Sequence, residues 1–268
     1  MKHYSRTRHG EARPQNHPRP LPMKHRVLDA VERLARSASI LVVPSWRTTQ
    51  VDEEHHMRRL LTHLQVDCVF DVGANVGQYA EKLRRHFGFK GRILSFEPNP
   101  AAWGELKAAA DKDPLWDVFD FALGAENGMG DFQAYGDSKL ASLLEFDPSS
   151  PHAPKDMERK VIPVPVRALS DVLPEMLAMY GFKRPFLKLD TQGFDLQVAM
   201  GAGFKLQEFL GLQSEVSFSR IYAKSPLFAE VVAYYEEHGF TLSRLFPNND
   251  VHFPHLVEMD VVMIRKDL

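Results

Sequence analysis

The chain has 268 residues, of which 44% are hydrophobic and 25% are charged, and its formal net charge is -2. These values are typical of a soluble globular protein with one large domain, and the balanced charge gives no general attraction to nucleic acid or anionic membranes. The single cysteine, Cys68, excludes a disulfide scaffold and favours a reducing compartment, so we expect a cytoplasmic protein. No apolar stretch approaches the roughly 20 residues that a membrane-spanning helix needs.

The first 22 residues differ in composition from the rest of the chain. They contain five lysines and arginines against one acid, together with four prolines. We expect residues 1–22 to form a disordered basic tail. Met23 follows directly, so a start site assigned too far upstream is an alternative explanation for this segment.

Apolar residues then follow with helical spacing at 24–36 and again at Asp52–Leu64. Asp52 is the expected N-cap of the second helix, because its carboxylate can accept hydrogen bonds from the first free N–H groups. We interpret residues 23–66 as a helical leader packed on the main domain, which then occupies residues 67–268.

From residue 67 onwards, short apolar strands alternate with helical segments. Strands are predicted at Cys68–Asp71, Arg92–Phe96, Asp117–Ala122, Gly130–Tyr135, Val161–Val166, Phe186–Asp190, Leu210–Val216, Phe240–Phe246 and Met259–Ile264. Helices are predicted at Gln78–Phe87, Pro100–Asp111, Ser170–Tyr180 with Ser170 as N-cap, Phe194–Met200 and Pro226–His238. This alternation indicates an α/β fold with right-handed crossovers and a mostly parallel sheet with helices on both faces.

The turn after the first strand, Asp71-Val72-Gly73-Ala74-Asn75-Val76-Gly77, is the most informative segment. Ligands of open α/β sheets bind beyond the carboxyl ends of the strands. Gly73 lets the backbone approach such a ligand without an intervening Cβ, and Gly77 lets the next helix pack closely on the strand. Exposed N–H groups at the start of that helix suit a negative or carboxylate group.

Two cofactor classes compete for this turn. A dinucleotide needs G-x-G-x-x-G, but Asn75 occupies the position of the second glycine and obstructs a pyrophosphate. The spacing D-x-G-x-x-x-G is the usual form for S-adenosylmethionine, a nucleoside without phosphates. Glu97 follows at the end of the next strand, where its carboxylate can accept hydrogen bonds from both ribose hydroxyls. A tight turn without a ligand is the remaining alternative.

Four segments together resemble the FkbM family of S-adenosylmethionine-dependent methyltransferases: Phe70–Gly77, Ser95–Pro100, Ala122–Gly124 and Leu187–Asp195. The resemblance spans residues 67 to 265 and implies the class I methyltransferase fold, a Rossmann-like sheet of seven strands with the last one antiparallel. It also implies O-methylation of a hydroxyl on a sugar, glycolipid or polyketide. Gln192 is a departure, because many members carry glutamate there.

The resemblance further implies which residues contact the cofactor. These are Asp71, Gly73, Asn75, Gly77 and Glu97, with the adenine close to Ala122. Asp71 is expected to orient the turn and the amine of the methionine part.

The acceptor would meet the acids at the ends of the fourth and fifth strands of that fold. We predict that Asp190 is the general base, or a ligand of a divalent metal ion, with Glu215 as its partner. Two close carboxylates repel each other unless one is protonated or a cation such as Lys188 neutralises them. A structural ion pair between Lys188 and Glu215 is the alternative.

The sequence therefore predicts a methyltransferase that acts on a small-molecule, glycan or glycolipid acceptor, without a nucleic-acid partner. A nicotinamide-dependent oxidoreductase and a non-catalytic cofactor-binding protein are the alternatives. Loops 136–160 and 218–225 are expected to border the substrate, and Ser142 is a candidate acceptor contact or a local cap. The segment His252-Phe253-Pro254-His255 is expected to be a surface loop, since a metal site would need further ligands nearby.

Overall fold

The computed structural model describes residues 47–155, 157–247, 252 and 254–268. The predicted basic tail at 1–22 and the first helix of the leader lie outside the described residues. No helix in the described part of the chain combines the length and the apolar character that crossing a bilayer requires.

In the described part of the chain, one helix precedes a series of alternating strands and helices. The strands are β1 (Cys68–Val72), β2 (Arg92–Phe96), β3 (Trp116–Phe119), β4 (Ala122–Gly124), β5 (Gly128–Tyr135), β6 (Arg159–Ala168), β7 (Pro185–Leu189), β8 (Gly211–Ser217), β9 (Phe240–Pro247) and β10 (Glu258–Arg265). The helices are α1 (Thr48–His63), α2 (Gln78–Lys82, continued by a π-helical turn at Leu83–Phe87), α3 (Pro100–Ala110), α4 (Leu169–Tyr180), α5 (Asp195–Ala202) and α6 (Phe228–Glu237).

Seven of the strands form one sheet in the order β3-β2-β1-β7-β8-β10-β9. β10 is antiparallel to both of its neighbours, whereas β1, β2, β3, β7 and β8 pair in parallel. This confirms the predicted sheet of seven mostly parallel strands with an antiparallel last strand. The order reverses direction at β1, so the carboxyl ends of β1 and β7 border a crevice in which ligands of such sheets bind.

Side chains alternate along the central strands and supply two hydrophobic clusters, one on each face of the sheet. Phe70 and Val72 of β1 belong to the cluster that contains buried residues of α4, α5 and α6. Val69 of β1 belongs to the cluster that contains buried residues of α1, α2 and α3. Helices therefore cover both faces, as predicted.

The strand predicted at Asp117–Ala122 is two strands in the structure. β3 pairs with β2 in the large sheet, whereas β4 pairs with β6 in a separate sheet of order β4-β6-β5. The chain changes direction between them at Asp120 and Phe121. The sequence pattern does not record such a turn, because Val118, Phe119, Phe121 and Ala122 are apolar and at least partly buried on both sides of it, although the two strands belong to different sheets.

Two predicted N-caps are wrong. α1 begins at Thr48, so Asp52 lies inside the helix, where its oxygens accept hydrogen bonds from Arg244 at 2.7 and 2.8 Å. α4 begins one residue before Ser170. The side chain of Asn127, which lies in the loop between β4 and β5, contacts the start of α4 instead. Its Oδ1 accepts the N–H of Ala168 at 2.9 Å. The start of α4 therefore depends on a tertiary contact that the local sequence does not show.

The contact between α5 and β4 gives a test of this packing. A Cβ on Gly201 would lie 1.9 Å from the carbonyl oxygen of Gly124. We expect Gly201→Ala to lower the free energy of unfolding by about 1–3 kcal/mol, because overpacking forces α5 away from β4.

Gly104→Ala in α3 is the matched control, since nothing lies within 4 Å of a Cβ built there. This change should stabilise the helix by about 0.5–1 kcal/mol. Urea unfolding measures both variants, and a Gly201→Ala protein as stable as the wild type would contradict the packing of α5 on β4.

Candidate active site

A cavity of about 430 Å³ lies at the carboxyl ends of the central strands, within the range of roughly 300–1,000 Å³ that small-molecule sites occupy. Its wall contains seven of the predicted site residues: Gly73, Asn75, Glu97, Ala122, Lys188, Asp190 and Glu215. The remaining two, Asp71 and Gly77, lie behind this wall. The structure therefore brings four of the six predicted cofactor residues and all three predicted catalytic residues to one cavity.

Gly73 begins the turn after β1 and has φ +77. Its N–H donates to the carbonyl oxygen of Phe96 at 3.0 Å, and a Cβ on it would lie 1.9 Å from the carbonyl oxygen of Asp190. The glycine is thus required for a close backbone contact between the turn and the end of β7. That contact places the turn beside Asp190.

Gly77 ends the same turn at φ +94 and starts α2. A Cβ here would lie 2.7 Å from the ring of Trp116 in β3. The predicted close packing at this glycine is therefore against an indole ring of a neighbouring strand. Gly77 shapes the turn without lining the cavity.

Glu97 follows β2, is 5% exposed and is held by two backbone groups. The N–H groups of Asn75 and Asn99 each donate to one of its oxygens at 2.7 Å. Burial raises the pKa of Glu97 to about 7, although these two N–H groups lower it. Asn75, at φ +47, is fixed by the same bond, and its buried Oδ1 has no hydrogen-bond partner within the described part of the chain.

A row of buried polar side chains crosses the sheet beneath the cavity. Ser95, Asp71, Lys188 and Gln213 are in register on β2, β1, β7 and β8. Ser95 Oγ donates to Asp71 Oδ2 at 3.0 Å. Lys188 Nζ lies 3.3 Å from Asp71 Oδ1 and 3.4 Å from Asp190 Oδ2. Lys188 therefore connects a fully buried acid with an acid in the cavity wall.

The charge of Lys188 is fixed by these neighbours. Its burial would by itself lower the pKa, but the carboxylates of Asp190 and Asp71 outweigh it and raise the pKa of Lys188 above its ordinary value. Burial raises the pKa of Asp71, while Lys188 and Ser95 lower it. Asp71 thus lies against Lys188, and its contact with a cofactor stays a prediction.

The two predicted acids of the acceptor side meet through the side chain of Gln192. Gln192 Nε2 lies 3.0 Å from Asp190 Oδ1 and 3.0 Å from Glu215 Oε2. Burial, and then the nearby charge of Asp190, raise the pKa of Glu215 well above its ordinary value. The acids are therefore neighbours linked by an amide, and Lys188 is paired with Asp190 and Asp71.

The polar residues of the cavity wall that were not predicted from the sequence include Glu53, Tyr79, Lys82, Gln213 and Asp260. They form one network, in which Tyr79 Oη donates to Gln213 Oε1 at 2.7 Å and Gln213 Nε2 donates to Asp260 Oδ2 at 3.2 Å. Lys82 and Glu53 form an ion pair at 2.5 Å. The sequence could have indicated one of these residues, because Gln213 is a polar residue at a buried position of a strand.

Loop 136–160 lines this cavity, whereas loop 218–225 contributes no residue to its wall. Ser138 and Lys139, from loop 136–160, line the cavity, and Phe146 stacks on Tyr222 of loop 218–225 at 5.0 Å between ring centroids. Ser142 is buried and its Oγ donates to the carbonyl oxygen of Gln192 at 2.8 Å. Ser142 therefore contacts the backbone behind the cavity wall.

The described residues offer no group of three or more histidine, cysteine, aspartate or glutamate side chains that could hold a metal ion. Asp190 and Glu215 share an amide instead. The residues present therefore do not fit a protein-held divalent ion. His252 and His255 lie beside His152, outside the wall of this cavity.

The strand order, the glycine turn and the strand-end acids together define a class I methyltransferase fold. A family model described as the methyltransferase FkbM domain matches residues 71–242, which is more than half of the chain. The protein therefore belongs to the FkbM methyltransferase family. No curated protein matches the sequence.

Several solved structures are similar to this chain at low sequence identity. Methyltransferase FkbM from Methylobacillus flagellatus is 15% identical with a TM-score of 0.46, and the match covers 74% of this chain but 43% of that one. Magnesium protoporphyrin IX methyltransferase from Synechocystis is 13% identical with a TM-score of 0.45, and the match covers 93% and 100% of the two chains. These similarities are too distant to assign a substrate or a cofactor.

The buried pair between Lys188 and Asp71 can be tested by removing the cation. We expect Lys188→Met to lower the free energy of unfolding by about 3–5 kcal/mol near neutral pH, since Asp71 keeps a buried charge without a partner. Without Lys188 the pKa of Asp71, already raised by burial, rises further. The loss should therefore be largest at high pH and shrink as the pH falls and Asp71 takes up a proton.

Lys107→Met is the control, because it breaks an exposed pair with Asp111 that spans 3.2 Å. Such surface pairs contribute about 0–1 kcal/mol. Urea unfolding at several pH values compares the two variants. Equal and pH-independent losses would contradict the buried pair.

Proposed function

We propose that this protein is an S-adenosylmethionine-dependent methyltransferase that methylates a hydroxyl of a sugar, a glycolipid or a related small acceptor. The observation that carries the proposal is the buried carboxylate of Glu97, held by two backbone N–H groups at the wall of the cavity beside the glycine turn. A carboxylate in this position can accept hydrogen bonds from the two hydroxyls of a ribose.

The surrounding residues fit the rest of such a nucleoside. Phe96, Ala122, Leu123 and Phe194 give the cavity an apolar wall near Glu97, which suits an adenine ring. The partnerless Oδ1 of Asn75 offers an acceptor for a hydroxyl or amine of the bound molecule.

A dinucleotide fits the same turn poorly. The N–H of Asn75, which a pyrophosphate would need, already donates to Glu97 at 2.7 Å. A pyrophosphate placed there would also lie beside the carboxylate of Glu97, and like charges at such distances repel. These contacts favour a nucleoside without phosphates over a nicotinamide cofactor.

When bound, S-adenosylmethionine supplies a methyl group on a sulfonium, which is a strong leaving group. The chain must hold the acceptor oxygen in line with that methyl group, and such alignment alone can supply about 7–11 kcal/mol of the acceleration. The Asp190 carboxylate takes the proton of the acceptor hydroxyl as the oxygen–carbon bond forms and the carbon–sulfur bond breaks. Lys188, 3.4 Å from Asp190, holds that carboxylate in place.

The nature of the cavity wall supports a polar acceptor. Beyond Asp190 the cavity continues toward α1 and α2, where its wall consists of charged, amide and phenol groups such as Glu53, Lys82 and Gln213. Groups of this kind exchange hydrogen bonds with hydroxyl-rich molecules. Acceptor profiling with labelled S-adenosylmethionine on cell extracts is the direct way to find the molecule.

The pKa of Glu97 predicts how binding of the demethylated product, S-adenosylhomocysteine, depends on pH. Burial raises the pKa of Glu97 to about 7, and only the ionised form accepts both ribose hydroxyls. We therefore expect the affinity to be constant above that pH and to fall about tenfold for each pH unit below it. Isothermal titration calorimetry across this range measures the slope.

Glu97→Gln should bind S-adenosylhomocysteine weakly at every pH, since the amide does not titrate and offers one acceptor oxygen. Glu105→Gln, on the exposed face of α3, is the matched control and should keep the wild-type affinity and slope. An affinity independent of Glu97 would mean that the ribose lies elsewhere.

Asp190→Asn separates catalysis from binding. We expect it to reduce turnover by at least about 100-fold, because the amide cannot take the acceptor proton. Binding of S-adenosylhomocysteine should stay within a few-fold of the wild type. Transfer of a labelled methyl group measures turnover, with Asp111→Asn on the surface as control. Full activity of Asp190→Asn would remove this residue from the mechanism, and a wild-type protein that binds but never transfers would support a non-catalytic role.

A further inference from the structure

Gln192 has a backbone conformation that residues with a Cβ rarely adopt. Its φ is +56, and Gly193 follows at +85. The left-handed region is unfavourable for any residue except glycine, so it persists only where surrounding contacts hold it. Strain of this kind concentrates at functional sites, and Gln192 lines the cavity.

The contacts of the Gln192 side chain explain what holds it. One amide nitrogen approaches both Asp190 Oδ1 and Glu215 Oε2 at 3.0 Å, so each of its two hydrogens serves a different carboxylate. An amide brings no charge of its own. It therefore orients both acids through hydrogen bonds without adding a positive charge to the site, as a lysine would.

The other end of the amide is fixed by loop 218–225. Tyr222 is 1% exposed, and its Oη lies 2.9 Å from Gln192 Oε1 and 2.9 Å from the carbonyl oxygen of Leu140. The hydroxyl hydrogen of Tyr222 thus finds acceptors on Gln192 and Leu140. This arrangement sets which end of the amide faces the acids.

We propose that Gln192 is a positioning residue, which orients Asp190 and Glu215 for methyl transfer and is itself oriented by Tyr222. The inference rests on the proposed function of Asp190. It explains why a strained residue with a long polar side chain occupies this position. It also assigns to loop 218–225 a role in holding the base, through Tyr222.

The first test measures stability against pH. In Gln192→Glu, a third carboxylate lies beside two others, so the pKa of the new group is raised in the folded state. A carboxyl group whose pKa is raised on folding has no effect on stability well below its unfolded-state pKa of about 4.3. Above that pH it destabilises the fold progressively, until the pH reaches the raised pKa and the loss becomes constant. We expect the Tm of Gln192→Glu to fall progressively below that of the wild type between about pH 5 and pH 8. Gln207→Glu, on the surface, is the charge-matched control and should show no such divergence.

The second test measures the pH dependence of methyl transfer to an acceptor that the wild type methylates. Loss of an N–H donor disfavours the ionised base. The rising limb of the pH–rate profile should therefore move to higher pH in Gln192→Glu, and by less in Gln192→Met and Tyr222→Phe. Affinity for S-adenosylhomocysteine should stay within a few-fold in all three variants. A purely structural role would lower activity without moving the profile.

The outcomes separate this inference from the proposed function. A wild-type protein that does not bind S-adenosylhomocysteine would overturn the proposed function, while the stability curves still report on the contacts of Gln192. Binding with an unmoved pH–rate profile in the variants would overturn the positioning role. If Gln192→Glu does not fold, Gln192→Met and Tyr222→Phe decide the question through the same profile.

Discussion

The site depends on one buried cation. The ammonium of Lys188 lies within 3.4 Å of carboxylate oxygens of Asp71 and Asp190, and its side chain is 6% exposed. A buried carboxylate is costly unless a counter-charge or hydrogen bonds offset the loss of water. Lys188 offsets that cost for Asp71 in the middle of β1, and at the same time it holds Asp190 at the cavity. The stability of the central strands and the geometry of the proposed base therefore share one interaction.

Because side chains alternate along the central strands, the polar row that contains Asp71 and Lys188 lies on one face of the sheet. On one face, Phe70 and Leu187 join the hydrophobic cluster under α4, α5 and α6. On the other face, Asp71 and Lys188 replace apolar residues in the row nearest the cavity. Because α1 and α2 cover this second face, their polar residues, such as Glu53, complete the cavity wall. Both faces of the sheet thus carry a hydrophobic core, and the polar row of the second face lies beside the cavity at the carboxyl ends of the strands.

The parts of the site that follow from strand topology could be predicted from the sequence. Glu97 and Asp190 lie at strand ends, and parallel strands bring their carboxyl ends to one edge. The partners of Asp71 depend on register between strands, and the packing of Glu53 against Lys82 joins two helices, so neither follows from local pattern. The contact of Asn127 with the start of α4 could not be predicted for the same reason, because Asn127 lies 41 residues from Ala168, whose N–H it accepts.

The cavity wall has two separate structural origins. The part beside Glu97 and the glycine turn belongs to turns of the seven-stranded sheet, while Leu143, Ser138 and Lys139 come from the excursion that leaves the small sheet β4-β6-β5. Surface excursions tolerate insertion and replacement far better than the elements they connect. Such a division lets evolution alter which molecule is selected while the methyl-donor chemistry stays constant. The excursion between β5 and β6 is therefore the module in which divergence among relatives should concentrate.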